Sequence, residues 1–194
     1  SKFFEQMSMA TNERQVEDIY NEGVKRYFKG DITYPYNSDG YISAPIEDSK
    51  RTVMLLMEFK FNQNFNLKSE KSKVLIQVIY YLKRFELHGE KLPNTILVGD
   101  IDESFVMHTN ELLKYLDEPC DWSISPSSAS IRNPQLLMKL HEDKNINPYV
   151  FSIDDSFSFK NVADKIKDIA KGTQRLVRIT EYNISNVYSY FIQS

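Results

Sequence analysis

Asp39 precedes Glu58 by 19 positions, and Lys60 follows Glu58 by two, in a chain of 194 residues. Two carboxylates can bind a hard divalent cation through oxygen and leave room for water and a phosphate oxygen. A lysine beside them can orient an attacking water or steady negative charge as it develops. These residue types at this spacing therefore fit metal-assisted hydrolysis of a phosphodiester. The pattern by itself is common in a chain with 27 acidic and 24 basic residues, so the elements that carry it must decide.

The run from Val53 to Phe61 contains no Gly or Pro and is apolar apart from Glu58 and Lys60, which reads as a buried strand. Side chains alternate along a strand, so Glu58 and Lys60 share one face while Met57, Phe59 and Phe61 share the other. A solvated edge strand would also show Glu-x-Lys. Here the pair ends a run of five apolar residues, where unpaired charge is costly to bury. Tyr41-Ile42-Ser43-Ala44 reads as a second strand with Pro45 at its edge, and Glu47 to Arg51 supplies a polar turn. A hairpin centred near Ser49 brings Glu58 opposite roughly position 40, beside Asp39.

The next segment reads as a helix. Lys73, Gln77, Tyr81 and Arg84 recur at spacings of four, four and three, forming a polar stripe among Val74, Leu75, Ile76, Val78, Ile79, Leu82 and Phe85. On spacing alone this stripe either lines a site or faces solvent. Upstream, Thr11 or Asn12 suits an N-cap, and Glu13, Glu17 and Asp18 crowd the first turns of a helix. Glu13 and Glu17, four apart, share a face.

An acidic helix, a hairpin carrying Asp39, a strand carrying Glu58-x-Lys60 and a following helix together resemble the core of the PD-(D/E)XK nuclease superfamily, which includes restriction endonucleases and RecB-type nucleases. Leu55 to Lys60, Val74 to Lys83 and Pro93 to Asp100 are similar to the amino-terminal nuclease-like domain of bacterial proteins that continue into a DNA methyltransferase, as in type IIG restriction-modification enzymes. The resemblance spans roughly residues 9 to 192. It implies an α/β, restriction-endonuclease-like core with a mixed central sheet flanked by helices. It also implies Mg²⁺, with Mn²⁺ as a substitute, held by Asp39 and Glu58, with Glu17 as the helix-borne acid and Glu13 as its alternate. Lys60 would assist water attack, and Gln77 with Tyr81 would line the site. Duplex DNA is the implied substrate, and methyltransferase and target-recognition domains are the implied partners in a parent protein. Ser38 stands where the motif carries proline before its aspartate. Two other readings remain open: a nuclease-fold module without activity that serves DNA binding or domain contacts in a methyltransferase, and a repair exonuclease of the RecB type.

Composition suits a single domain over residues 1–194, with a core over about 9–155 and carboxyl-terminal helices over about 159–194 leading toward a further domain. With 41% hydrophobic and 13% aromatic residues and only 6 Gly and 7 Pro, the chain can bury a sizeable core. It has no internal repeat and no glycine-rich phosphate loop. A lone cysteine, Cys120, excludes an intrachain disulfide and any cysteine-clustered zinc or iron-sulfur site. No apolar run approaches the roughly 20 residues of a membrane span and no signal-peptide pattern opens the chain, so the expectation is cytoplasmic, without membrane contact.

Charge argues against a strong non-specific DNA binder, because the net charge is −3 and the pI about 5.7. Its distribution is uneven. Lys68, Lys71, Lys73, Lys83, Arg84 and Lys91 outnumber Glu70, Glu86 and Glu90, whereas six acids from Asp100 to Glu118 face only Lys114. The expectation is a basic flank beside the site and an acidic one away from it, with another domain holding the DNA.

Elsewhere, Thr95 to Val98 and Phe105 to His108 read as strands about a turn at Gly99 to Asp102, whose Asp100 and Asp102 fit turn chemistry better than metal ligation. His88 and His108 read as structural or exposed. Residues 119–130 read as a loop anchored by Trp122. Pro134 opens a helix through Leu140, Tyr149 to Ile153 is strand-like, and Val162, Ile166, Ile169 and Ala170 recur at helical spacing before Gly172. A last aromatic segment, Ile179 to Ile192, would dock on its own domain or on a neighbour.

Overall fold

The computed structural model describes residues 1–172, organised around a strand buried along nearly its whole length, β2 (Thr52–Phe59). β1 (Gly40–Pro45) pairs antiparallel on one side of it and β3 (Thr95–Gly99) parallel on the other; β4 (Glu103–His108) and β5 (Tyr149–Ser152) then extend the sheet antiparallel. The five-stranded mixed sheet, with helices on both faces, is the α/β class expected of the chain. Gly40 opposes Met57, so one further step outward places Asp39 against Glu58, one position from the predicted register.

Alternation along the strands builds two apolar layers. Leu56, Ile96, Val98, Phe105 and Met107 face one side, while Leu55, Met57, Phe59, Leu97 and Val106 face the other. Two neighbouring parallel strands require a crossover, and here it is α3 (Lys68–Leu87). Every residue from Val74 to Leu82 is buried, because α3 lies between the sheet and an outer shell made of α4 (Pro126–Arg132), α5 (Pro134–Glu142) and a 3-10 stretch over Thr109–Asp117. The stripe of Gln77 and Tyr81 is thus interior and not a solvent face. α4 begins inside the segment read as a loop: Pro126 occupies its first turn, where a missing N–H costs nothing. Trp122 packs on Tyr80 with ring centroids 4.8 Å apart, as the anchor reading expected.

α1 (Lys2–Ser8), which the sequence reading left out, joins α2 (Glu13–Tyr27) and α6 (Phe159–Gly172) on the opposite face. Asn12 caps α2, its Oδ1 accepting from the Gln15 N–H at 2.9 Å, while Gln15 Oε1 accepts in return from the Thr11 N–H at 2.7 Å. Val16, Tyr20 and Val24, four apart, are its buried ridge. β5 closes the sheet as an exposed edge with Tyr149 and Val150 open to solvent, while Ile153 is buried. The aromatic segment Ile179 to Ile192 lies outside the described residues. Among the described residues no helix is long and apolar enough to cross a membrane.

One contact fixes α2 on the sheet. The Tyr20 ring is fully buried, stacks on Phe59 at 4.7 Å, and its hydroxyl donates to the Asp100 carbonyl at 2.8 Å with Ser104 Oγ at 2.7 Å. It lies flat against Gly99, where a Cβ would stand 2.3 Å from Tyr20 Cζ. A Gly99→Ala chain should therefore lose about 1–3 kcal/mol of stability by overpacking, read as a lower urea midpoint at unchanged m-value. An unchanged midpoint would show that α2 is not wedged at this contact.

Candidate functional site

At the carboxyl end of β2, chain direction and burial bring the predicted acids together. Glu58 is 4% exposed, and Lys60, one residue beyond the strand, continues the ladder by donating its N–H to the Gly99 carbonyl at 2.9 Å. Lys60 Nζ stands 3.3 Å from Glu58 Oε1. Asp39 reaches across the hairpin, its Oδ2 accepting from the Phe59 N–H at 2.7 Å. The three motif residues thus converge as the hairpin argument predicted.

The electrostatics follow from that crowding. Burial, then the Asp39 carboxylate, push the Glu58 carboxyl well above the usual range, and Lys60 opposes them. Glu58 Oε2 is enclosed without a hydrogen-bond partner among the described residues. Glu17, on the first turns of α2, is raised to about 7 by burial and by Asp39, which also shares a hydrogen bond with it. Glu13 is raised by partial desolvation, with Lys60 lowering it and Asp39 and Asp100 adding to the rise. Both helix-borne acids therefore join the cluster: Glu17 lies against Asp39, and Glu13 sits within the fields of Lys60 and Asp100.

α3 closes the other side. Tyr81 donates its hydroxyl to the Asn37 carbonyl at 3.2 Å, and burial followed by Glu58, Asp39, Glu13 and Glu17 holds its phenol far above the ordinary range. That bond steadies a left-handed pair, Tyr36 and Asn37, at φ 58° and 61° just before Asp39. Gln77 lies one turn before Tyr81 on the same face, buried, with its Oε1 unpartnered among the described residues. Ser38, in place of the motif proline, is buried too.

Asp100 belongs to this neighbourhood, which charge distribution alone had placed away from it. Its carboxylate accepts four backbone N–H groups: Asn62 at 2.6 Å, Gln63 at 2.7 Å, Asn64 at 3.2 Å and Ile101 at 2.8 Å. The turn reading of Asp100 covers only the last of these; the other three tie down the chain immediately after Lys60. Sequence spacing gives no signal for this bond, because its partners are about 37 residues away.

Half of the expected basic flank, Lys71, Lys83 and Arg84, is engaged within the protein, whereas Lys73 pairs at the surface and Lys68 and Lys91 are exposed. Lys71 pairs with Glu103 at 3.1 Å and Lys73 with Glu70 at 3.0 Å. Lys83 meets Glu86 at 3.1 Å and the Trp122 ring at 5.1 Å, and Arg84 donates to the Trp122 and Ile124 carbonyls at 2.7 and 3.0 Å. The interior part of the helix turns its charges toward whatever acceptors border it, so Lys71, Lys83 and Arg84 do not form a free cationic face.

Among the described residues, no group of three or more His, Cys, Asp and Glu side chains is arranged to hold a metal ion. The donor chemistry nonetheless suits a hard cation bound through one or two carboxylates and water: Asp39 and Glu58 adjoin, one Glu58 oxygen lacks a partner among the described residues, and only Lys60 opposes the charge on Glu58 while Arg14 acts on Glu17.

Because Glu17 and Glu58 bind protons more tightly folded than unfolded, these groups stabilise the chain least at high pH. The Glu17 contribution falls as pH rises from the ordinary value of 4.5 through about 7, and that of Glu58 falls as pH rises above the same ordinary value. Without divalent cations, the melting temperature should decline over that window, and Glu17→Gln should flatten the decline. A Glu17→Gln profile identical to wild type would remove Glu17 from the coupled cluster. Compared with known proteins, the chain matches no family model, no curated protein and no solved structure.

Proposed function

We propose that this chain is a Mg²⁺-dependent deoxyribonuclease domain of the PD-(D/E)XK type, hydrolysing phosphodiester bonds of double-stranded DNA within a bacterial restriction-modification protein that also carries methyltransferase and target-recognition domains. The observation that supports it is the convergence of Asp39, Glu58, Lys60 and Glu17 at the end of one strand, with a buried carboxylate oxygen left unpartnered. Asp39 and Glu58 would hold the metal, and Mn²⁺ could replace Mg²⁺. Bound there, the metal would lower the pKa of a coordinated water and offset charge on the phosphate. Lys60, kept beside Glu58 Oε1, would orient an attacking water and meet the charge that develops on the phosphate oxygens. Glu17 braces Asp39 from the α2 side, and Tyr81 fixes the turn that delivers Asp39.

The engagement of Lys71, Lys83 and Arg84 inside the protein favours a second reading for DNA capture: the domain cuts, or merely rests against, DNA that another domain holds. In that reading the isolated chain binds DNA weakly, and affinity falls steeply with salt only in the full-length protein.

Plasmid DNA incubated with the full-length protein and Mg²⁺ or Mn²⁺ should be cleaved, and Glu58→Ala and Lys60→Ala should each lower the rate by a factor on the order of 10²–10³. Cleavage at wild-type rate by either variant would overturn the catalytic assignment. DNA binding without cleavage by the wild type, at any divalent cation tested, would favour the inactive-module reading.

A further inference from the structure

The segment between Lys60 and α3 is fastened to the protein at Gln63, Phe65 and its backbone and leaves Asn62, Asn64 and Asn66 exposed. Phe61 is half-buried, the Gln63 side chain bonds Glu70, and Phe65 is buried against Phe105 with centroids 5.5 Å apart. The Asp100 carboxylate holds the N–H groups of Asn62, Gln63 and Asn64, and the Leu67 N–H returns to the Asn64 carbonyl at 3.1 Å. Odd-numbered residues up to 65 are thereby tied inward. Asn62, Asn64 and Asn66 are exposed, and their side-chain amides make no hydrogen bond to any other described residue.

Asn62 and Asn64 adopt left-handed backbone, at φ 57° and 60°, a conformation glycine takes without penalty and asparagine tolerates. Backbone tolerance would account for these two residue types by itself. It does not account for Asn66, which is not among the positive-φ residues, nor for a loop held this firmly next to Lys60 with three open amides.

Resting on the nuclease reading above, we propose that Asn62, Asn64 and Asn66 form the contact by which this domain grips DNA beside the scissile phosphate. An amide offers a donor and an acceptor together, so it can bond a base edge or a phosphate and sugar oxygen without net positive charge. That would suit a domain in which Lys71, Lys83 and Arg84 are engaged internally. Asp100 is the positioning residue: it sets the backbone, and the loop is ordered before DNA arrives, so little entropy is lost on binding.

Glycine substitution separates the amide from the backbone. In the full-length protein, Asn62→Gly with Asn64→Gly keeps the left-handed turns and removes two amides; Asn66→Ala removes the third. Circular dichroism should match wild type. With a duplex substrate and Mg²⁺, the double variant should raise KM about tenfold at nearly unchanged kcat, as for one or two lost hydrogen bonds, and Asn66→Ala should raise it by a smaller factor. KM and cleavage positions equal to wild type would overturn the inference while leaving the nuclease reading intact. A fall in kcat at constant KM would also overturn it, making the loop a support for Lys60. Absence of cleavage and binding by the wild type would overturn the nuclease reading and this inference with it.

Discussion

Glu58 ends a strand whose neighbours are apolar, and at 4% exposure its carboxyl has lost nearly all its water. Such a group must be neutralised, paired or bound to a cation within a few ångströms, because isolated charge in a low dielectric is prohibitively unfavourable. Everything near the end of β2 is arranged about that requirement. Lys60 is delivered by one more step of the β2–β3 ladder, and Asp39 is delivered by the β1–β2 register and held by the Phe59 N–H. The acids that gather beside Glu58 make the demand for positive charge larger, not smaller.

Rigidity around the cluster comes from three tethers made by residues that do no chemistry themselves. Tyr20 locks α2 against Gly99 and the β3–β4 turn, which fixes Glu17 and Glu13 on the same helix. Tyr81 holds the strained Tyr36–Asn37 turn in front of Asp39. Asp100 gathers the backbone that leaves Lys60. A site on strand ends and helix turns, braced in this way, keeps its geometry better than one carried on free loops.

The electrostatic balance has a counterpart on α3. Next to the enclosed stretch of α3, Lys83 and Arg84 cannot remain in water and turn toward carbonyls, a carboxylate and the Trp122 ring at its borders. Lys71, Lys83 and Arg84 then present little uncompensated positive charge, in a chain of net charge −3. Recognition by amides on a fixed loop, or by a separate domain, is the physical alternative to a basic groove.

Much of this was legible in the chain. The apolar run before Glu58 dictated a buried strand, alternation put Glu58 and Lys60 on one face, and the polar turn at Glu47 to Arg51 set the hairpin register to within one residue, because local periodicity and turn chemistry act over short sequence distances. The acids of α2 were visible as a pair four apart, yet their approach to Asp39 depended on the angle at which Tyr20 seats the helix. The length of the interior stretch of α3 showed in its hydrophobic residues, but whether Tyr81 and Arg84 met water or protein was decided by the Tyr36–Asn37 turn on one side and the Trp122–Ile124 segment on the other. The role of Asp100 and the engagement of Lys71 by Glu103 and of Arg84 by the Trp122 and Ile124 carbonyls were invisible for the same reason: each is a contact across tens of residues, between groups whose sequence neighbours say nothing of one another. The sequence by itself determined the strands, the helix faces and the motif's shared face, since those follow from periods of two and 3.6 residues. Only the tertiary structure decided which charges were left to act, since that depends on which partners the packed chain places within a few ångströms.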